Sequence, residues 1–169
     1  GALLVAFLWV LVTAEPNTAD DADSPLLGQP APSVVSTTLD DEEFVLANRK
    51  GSWVIFNFFN STCVPCIAEH PELVAFNERE LQATNPAEIY TVINDDNDAS
   101  VRAFFAKNGG DWQKVRDTDG AISVAFGVAK VPETWVIDPN GYVRLRIAGM
   151  LTPGLLDDQL AQLKAQFGS

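Results

Sequence analysis

Short apolar runs separated by polar turns divide most of this chain into alternating strands and helices. Residues 53–59 are β-branched or aromatic and apolar apart from one asparagine, which predicts a central strand covered on both faces. Residues 63–83 then predict a helix, which Ser61 or Thr62 can cap. Pro71 lies inside this helix and lacks the N–H that the ladder needs, so we expect a kink there.

The rest of the chain continues the alternation. Further strands are predicted at 88–93, 134–137 and 142–147, further helices at 99–107, 122–126 and 155–167, and a hairpin at 33–38 and 44–47. This order predicts an α/β fold in which a mixed central sheet carries helices on both faces.

The N-terminal residues form a separate region. Residues 2–12 are uniformly apolar, but about thirteen helical residues reach only about 20 Å, less than the ~30 Å core of a bilayer. We expect residues 1–14 to be part of a membrane anchor or a signal segment, with a buried helix as the alternative. Residues 15–27 are acidic and proline-broken and predict a flexible linker, which leaves 28–169 as the folded domain.

Charge excludes one class of partner. The chain has 11 Lys and Arg against 23 Asp and Glu, a net charge of -12. Such a surface repels phosphate backbones and anionic headgroups, so we expect no nucleic-acid partner. The clumped acidic residues are typical of solvated loops.

Two cysteines carry the candidate chemistry. Cys63 and Cys66 are separated by Val64 and Pro65, and two thiols are too few for a disulfide scaffold or a four-cysteine zinc site. At a helix N-terminus, unpaired amides and the helix dipole stabilise a thiolate. We therefore expect Cys63 to attack a disulfide and the deeper Cys66 to resolve the mixed disulfide. A structural bridge, a metal site that includes His70 and an incidental pair are the alternatives.

Three residues near the thiols are candidates for tuning them. Asn57, on the strand before the thiol loop, can orient the deeper thiol or satisfy the core. Glu69 follows Cys66 by three residues and shares its helix face. Its carboxylate can accept the Cys66 proton, raise the thiol pKa by like-charge repulsion, or remain solvated. His70 falls on another face, where a surface or capping position is expected.

A proline far along the chain completes the candidate site. Pro132 opens a strand after Val131, and a cis bond there would expose the Val131 backbone to an extended peptide. An ordinary trans edge proline is the alternative. Glu133 is a second candidate carboxylate near the sulfurs, and Lys130 a cation that favours the thiolate.

The segments FNFF (56–59), CVPCIAEHP (63–71) and VPETWVID (131–138) together resemble the envelope-anchored thioredoxins of the TlpA/ResA/CcmG (DsbE) type, over about residues 26–167. The resemblance implies a thioredoxin-like fold with an N-terminal β-hairpin and a central insertion. It implies that Cys63 and Cys66 are the redox pair and Pro132 the cis proline, with Glu69 and Glu133 as the nearby acids.

The resemblance also implies partners and a place of action. It implies a disulfide reductase on the outer face of the cytoplasmic membrane, with no cofactor beyond its own disulfide. The implied substrate is a cysteine-containing protein, apocytochrome c, and the electron donor a membrane protein of the CcdA/DsbD kind. Thr62 stands where the family usually has tryptophan, and Lys130 where cytochrome-maturation relatives often have glycine. The expected substrate-binding residues are Thr62, Val64, Pro65, Val131 and Glu133, and Asn57 and Lys130 are the expected thiol-tuning residues.

Other functions fit the same thiol pair. A disulfide oxidase or isomerase of the envelope differs from a reductase only in potential, and about 30 mV is worth about 1.4 kcal/mol. A peroxidase lacks the threonine and arginine expected around its cysteine. A metal carrier is a non-enzymatic alternative, although we expect no metal site. We expect a monomer.

Overall fold

The computed structural model describes residues 20–168. The anchor or signal segment predicted for residues 1–14, and the first part of the predicted linker, lie outside the described residues. Between residues 20 and 168, no helix is both long enough and apolar enough to cross a membrane.

The described chain folds into eight strands and four α-helices. In chain order these are β1 (Asp20–Asp21), β2 (Val35–Thr37), β3 (Glu43–Val45), β4 (Val54–Phe59), α1 (Val64–Glu80), β5 (Glu88–Ile93), α2 (Asp98–Asn108), β6 (Gln113–Arg116), α3 (Ala121–Phe126), β7 (Glu133–Ile137), β8 (Val143–Ala148) and α4 (Leu155–Phe167). A 3-10 turn at Leu46–Arg49 follows β3.

Six strands form a mixed sheet in the order β1-β8-β7-β4-β5-β6. β4 is parallel to β5 and antiparallel to β7, and all six of its residues are buried. The sequence predicts this, because a strand covered on both faces is apolar throughout. The β2–β3 hairpin predicted at the N-terminus forms a separate two-stranded sheet.

Two apolar clusters cover the two faces of the sheet. α1 and α4 pack on the face that carries Ile55 and Phe59 of β4. α3 and the β2–β3 hairpin pack on the opposite face, against Phe56 and Phe58. Because side chains alternate along a strand, this alternation in β4 assigns Asn57 to the α1 face.

The sequence analysis predicts neither β6 nor the two-residue strand β1. Three of the four residues of β6 are polar, so it lacks the apolar run of a central strand. It pairs with β5 at the edge of the sheet, and Thr38, beyond the hairpin strand β2, bridges to Val115. With α2 and α3 it makes up the segment expected as a central insertion.

Residues 20–27, the second half of the predicted linker, run along β8. β1 pairs with β8 in antiparallel register, and Leu26 and Leu27 pack against the core cluster of the hairpin face. These contacts attach this part of the segment to the folded domain.

Candidate functional site

The redox loop, residues 60–63, joins the end of β4 to the start of α1. Cys63 is the N-cap of α1, and its sulfur accepts a hydrogen bond of 3.3 Å from the Cys66 amide. The prediction that Ser61 or Thr62 caps the helix is therefore wrong. Thr62, one residue before the N-cap, instead donates hydrogen bonds from its amide and its hydroxyl to the Asn60 Oδ1 atom.

Cys63 and Cys66 are joined in a disulfide, with Cα atoms 5.2 Å apart. Cys66 is fully buried, whereas Cys63 is partly exposed. Only the outer sulfur can therefore meet an incoming protein without a rearrangement of the helix. The arrangement fits attack at Cys63 and resolution from Cys66.

Apolar side chains surround the exposed sulfur. Val64 is 75% exposed and Ile67 42% exposed, while Pro65 is half-buried in the first turn of α1. Val64 and Ile67 thus expose apolar side chains on the first turns of α1, next to the reactive cysteine in sequence. Thr62 is exposed at the edge of the same surface.

The segment before β7 faces the redox loop. The Val131–Pro132 peptide bond is cis, and the Val131 carbonyl oxygen lies 3.6 Å from the Cys63 sulfur. Pro132 is buried, and its carbonyl accepts a hydrogen bond of 3.0 Å from the Gly149 amide. Lys130 is exposed beside it. The Val131 backbone is thus placed beside the reactive sulfur, where an extended peptide can pair with it.

A buried carboxyl lies one helical turn below Cys66. Glu69 is 1% exposed; its Oε1 atom accepts 2.8 Å from the Asn57 Nδ2 atom and its Oε2 atom accepts 2.7 Å from the Leu151 amide. Burial raises the pKa of Glu69 to about 7, against the opposing effect of these two hydrogen bonds. A group with this pKa can both take and return a proton near neutral pH.

Asn57 holds this carboxyl in place. Its Nδ2 atom also donates to the Thr134 Oγ1 atom at 3.2 Å, so the amide links β4, β7 and α1. Of the two roles open to Asn57, orientation of the deeper thiol and satisfaction of the core, the hydrogen bonds in the disulfide state fit the second. The Asn57 Oδ1 atom is buried and has no hydrogen-bond partner within the described residues.

Glu133 is directed away from the disulfide. It lies on the face of the sheet opposite to Thr134, and its carboxylate binds the Arg146 guanidinium at 2.8 and 2.9 Å and the Trp135 indole at 3.2 Å. The placement of Glu133 beside the sulfurs is therefore a wrong prediction. The physical reason is strand alternation, which puts neighbouring residues of β7 on opposite faces.

His70 is also placed differently from the expectation. We expected a surface or capping position, but His70 is 2% exposed and packs among the rings of Phe104, Phe105 and Trp112. Its Nε2 atom lies 3.0 Å from the Gly109 carbonyl. Burial lowers the pKa of His70, so the neutral imidazole is favoured in the fold.

No metal ligand set is formed around the sulfurs. From residue 20 to residue 168, no group of three or more His, Cys, Asp or Glu side chains is arranged to hold an ion.

The sequence does not reveal two residues of this hydrogen-bond network, Thr134, which accepts from Asn57, and Leu151, whose amide donates to Glu69. Thr134 and the amide of Leu151 lie 77 residues from Asn57 and 82 from Glu69 along the chain. Neither carries a motif of its own. Only the pairing of β4 with β7 and the return of the chain after β8 bring them to the site.

Comparisons with known proteins identify the family of this chain. The sequence model of the AhpC/TSA family matches residues 27–146. The thiol:disulfide interchange protein HelX of Rhodobacter capsulatus is 32% identical over 154 residues, which cover 89% of this chain and 82% of that protein. DsbE of Pseudomonas aeruginosa is 28% identical over 167 residues (97% and 88%), and ResA of Bacillus subtilis 28% over 137 (81% and 75%).

Solved structures support the fold. A thioredoxin domain of a thiol-disulfide oxidoreductase from Bacteroides vulgatus superposes with a TM-score of 0.71 at 20% identity, covering 83% of this chain and 99% of that one. A thioredoxin-family protein from Chlorobium tepidum gives 0.71 at 24% identity, covering 83% and 98%. The expected thioredoxin-like fold is confirmed.

Proposed function

Because the chain belongs to the AhpC/TSA family and, within it, to the thiol:disulfide interchange proteins of the DsbE, HelX and ResA type, we propose that it reduces disulfides in cysteine-containing proteins. It is a thiol:disulfide oxidoreductase with a Cys63–Cys66 pair. The observation that carries the proposal is the contact between the Cys63 sulfur and the Val131 carbonyl beside the cis peptide bond.

The first step is attack by the reduced form. The Cys63 thiolate forms a bond to one sulfur of the substrate disulfide, whose S–S bond breaks, and the other substrate sulfur leaves as a thiolate and takes a proton. The amide of Cys66 donates to the Cys63 sulfur, and the N-terminus of α1 favours its negative charge.

The second step releases the product. Cys66 gives up its proton and attacks the Cys63 sulfur, which forms the internal disulfide and frees the second substrate thiol. Two electrons have then passed from the protein to the substrate. We assign the proton of Cys66 to Glu69, because this carboxyl lies one turn along the same helix face and its pKa of about 7 suits the transfer.

The proposed substrate is apocytochrome c with its haem-site cysteines oxidised, and the proposed electron donor is a membrane protein of the CcdA/DsbD kind. This substrate and donor are what the family resemblance implies, and the relatives named DsbE and ResA are thiol:disulfide interchange proteins or oxidoreductases. The proposed location is the outer face of the cytoplasmic membrane, to which the apolar N-terminal run would attach the chain. Val64 and Ile67, Thr62 and the Val131 backbone would contact the substrate.

Trapping tests the assignment of the two cysteines. Cys66→Ser should accumulate a mixed disulfide between Cys63 and the substrate, since nothing displaces the bound sulfur, whereas Cys63→Ser should accumulate none. The adduct is detected on a non-reducing gel and its partner identified by mass spectrometry. Adducts that form only through Cys66 would reverse the roles.

The direction of electron flow has its own measurement. Equilibration of the Cys63–Cys66 pair with glutathione gives its reduction potential. A reductase should lie well below the strongly oxidising end of the range, about -120 mV. A value near that end would instead support an oxidase.

A further inference from the structure

The redox loop is tied to the turn that follows β5. The Asn60 Nδ2 atom donates to the carbonyls of Asn94 at 3.0 Å and Asp95 at 2.7 Å, and the Asp96 carboxylate accepts 2.6 Å from the Ser61 amide. The Asn60 Oδ1 atom accepts from Thr62 in the redox loop. The side-chain amide of Asn60 therefore joins the redox loop to the turn after β5.

The same turn is tied to α3 on its other side. The Asn94 Nδ2 atom donates 2.9 Å to the Ser123 hydroxyl, which donates 2.7 Å to the Asp117 carboxylate. Asp117 also accepts from the amides of Ile122 and Ser123 at 2.8 and 2.9 Å, and both Ser123 and Asp117 are buried. The first turn of α3 thus has a fixed position relative to Asn94.

α3 leads directly into the segment that carries the cis peptide bond. The Ser123 carbonyl accepts 2.8 Å from the Val128 amide, and Gly127 takes the left-handed conformation that ends the helix. Val128 and Val131 then pack against the same apolar cluster as Phe126. The start of this segment, residues 127–132, is therefore positioned by the residue that Asn94 binds.

These contacts close a ring around the cleft at the disulfide. From Cys63 the ring runs through Asn60 and Asn94 to Ser123, and then along residues 127–131 back to the Val131 carbonyl, 3.6 Å from the Cys63 sulfur. The pairing of β4 with β7 fixes only the floor of this cleft, where Phe58 is opposite Glu133. The two walls are linked above it by the side chains of Asn60 and Asn94.

We propose that Asn94, together with Asn60 and Ser123, positions the wall at Val131 against the redox loop and thereby sets the spacing in which an extended peptide disulfide reacts. These are positioning residues, since they touch the loops and not the sulfurs. The inference rests on the proposed function, because it concerns the binding of a protein substrate at the same disulfide. A displacement of about 1 Å at such a site can cost up to about a hundredfold in rate.

The test compares two substrates with variants of the ring. Asn94→Ala and Ser123→Ala each remove the 2.9 Å bond between the turn and α3. For a peptide that carries one internal disulfide, we expect kcat/KM to fall about tenfold, mainly through KM, because peptide binding needs both walls. For a small disulfide such as oxidised glutathione, which needs only Cys63, we expect a change below about twofold.

A matched control lies in the same turn. Asn97 caps α2 through its Oδ1 atom, 2.9 Å from the Ser100 amide, and its side chain is not part of the ring. Asn97→Ala should lower the thermal midpoint as Asn94→Ala does, while peptide reduction stays within about twofold of the wild type. The double variant Asn94→Ala/Ser123→Ala should be no slower than Ser123→Ala alone, because the loss of the Ser123 hydroxyl already removes its bond to Asn94.

Several results would overturn the inference: unchanged peptide kinetics in both ring variants, equal losses with the peptide and the small disulfide, or an equal loss in Asn97→Ala. Ser123→Ala deletes only a hydroxyl and keeps the test valid if Asn94→Ala does not fold. Failure of the wild type to reduce the peptide would instead reject the proposed function, so the two failures are distinguishable.

Discussion

The carboxyl of Glu69 is enclosed by the fold, and its hydrogen bonds to Asn57 and Leu151 do not fully replace water. Burial penalises the charged form, so the proton is held more tightly in the folded chain than in the unfolded one. Burial of the charged carboxylate lowers the stability of the fold, and the raised pKa suits the carboxyl to exchange a proton with Cys66. The same residue therefore links the pH dependence of folding to that of thiol exchange.

The contribution of Glu69 to the stability of the oxidised protein should fall as pH rises toward neutrality, whereas that of His70, whose pKa burial lowers, has the opposite sign. The pKa of Glu69 is about 7 in the fold against an ordinary value of 4.5, so the folded state binds more protons between these limits. This contribution is complete below about pH 4.5 and is lost as pH rises through about 7, a difference of about 3 kcal/mol at 1.36 kcal/mol per pH unit.

Glu69→Gln should remove the Glu69 part of the pH dependence, because a glutamine does not titrate. The difference between wild type and variant in urea unfolding between about pH 4 and pH 8 measures it. The turnover of this variant should also lose the inflection near pH 7, with a lower rate at the resolving step. Glu78→Gln, at an exposed position of α1, is the control and should keep the wild-type slope. Equal slopes in wild type and Glu69→Gln would contradict the assignment.

Most chemical residues of the site are visible in the sequence because each belongs to a local pattern. The spacing of Cys63 and Cys66 and the helix face shared with Glu69 are one-turn relations, which the sequence shows directly. The orientation of Glu133 and the burial of His70 are tertiary facts. The orientation of Glu133 depends on which face of β7 packs against α1. The burial of His70 depends on its packing against the aromatic side chains of α2.

An ion pair between Arg146 on β8 and Glu133 on β7 neutralises the buried Glu133 carboxylate. The side chain of Glu133 is 3% exposed and that of Arg146 20% exposed, and two hydrogen bonds join them across neighbouring strands. A buried carboxylate is tolerated when its partner is present and costly when the partner is removed. The pair therefore supports the strand that carries Pro132 without taking part in thiol exchange.

Arg146→Met should destabilise the fold by about 3 kcal/mol, because it leaves the Glu133 carboxylate buried and unpaired. Adding Glu133→Gln should restore much of the loss, and urea unfolding at neutral pH measures both. Arg79→Met is the matched control, since Arg79 is half-exposed in its pairs with Glu72 and Asp157 and should cost about 1 kcal/mol or less. Similar losses in the two arginine variants would contradict this account.

The sequence predicts a strand or helix well where the spacing of its apolar residues matches the side of the element that is buried. β4, β5 and α4 have apolar runs or stripes that match their final environment, and their bounds come close to the prediction. β6 escaped prediction because an edge strand gains its stability from backbone pairing to β5 and needs no apolar run of its own. Its place is decided by strands distant in sequence.

The charge of the whole molecule acts on partners at a distance. With 23 acidic and 11 basic residues, the chain attracts cationic segments before any contact forms. This net charge follows neither from the order of strands and helices nor from the residues around the disulfide. A protein substrate that approaches Cys63 is therefore attracted or repelled by the electrostatic potential of the whole surface.

Ionic strength should separate peptide substrates by their charge. For two peptides with the same internal disulfide, one flanked by lysines and one by glutamates, the lysine peptide should react several-fold faster at about 0.01 M salt, where the screening length is ~30 Å. At about 1 M salt, where it is ~3 Å, the two rates should converge. Stopped-flow measurement of kcat/KM for both peptides tests this, with oxidised glutathione reporting any effect of salt on Cys63 itself. A preference for the glutamate peptide, or a rate ratio that salt leaves unchanged, would mean that local contacts outweigh the net charge of -12.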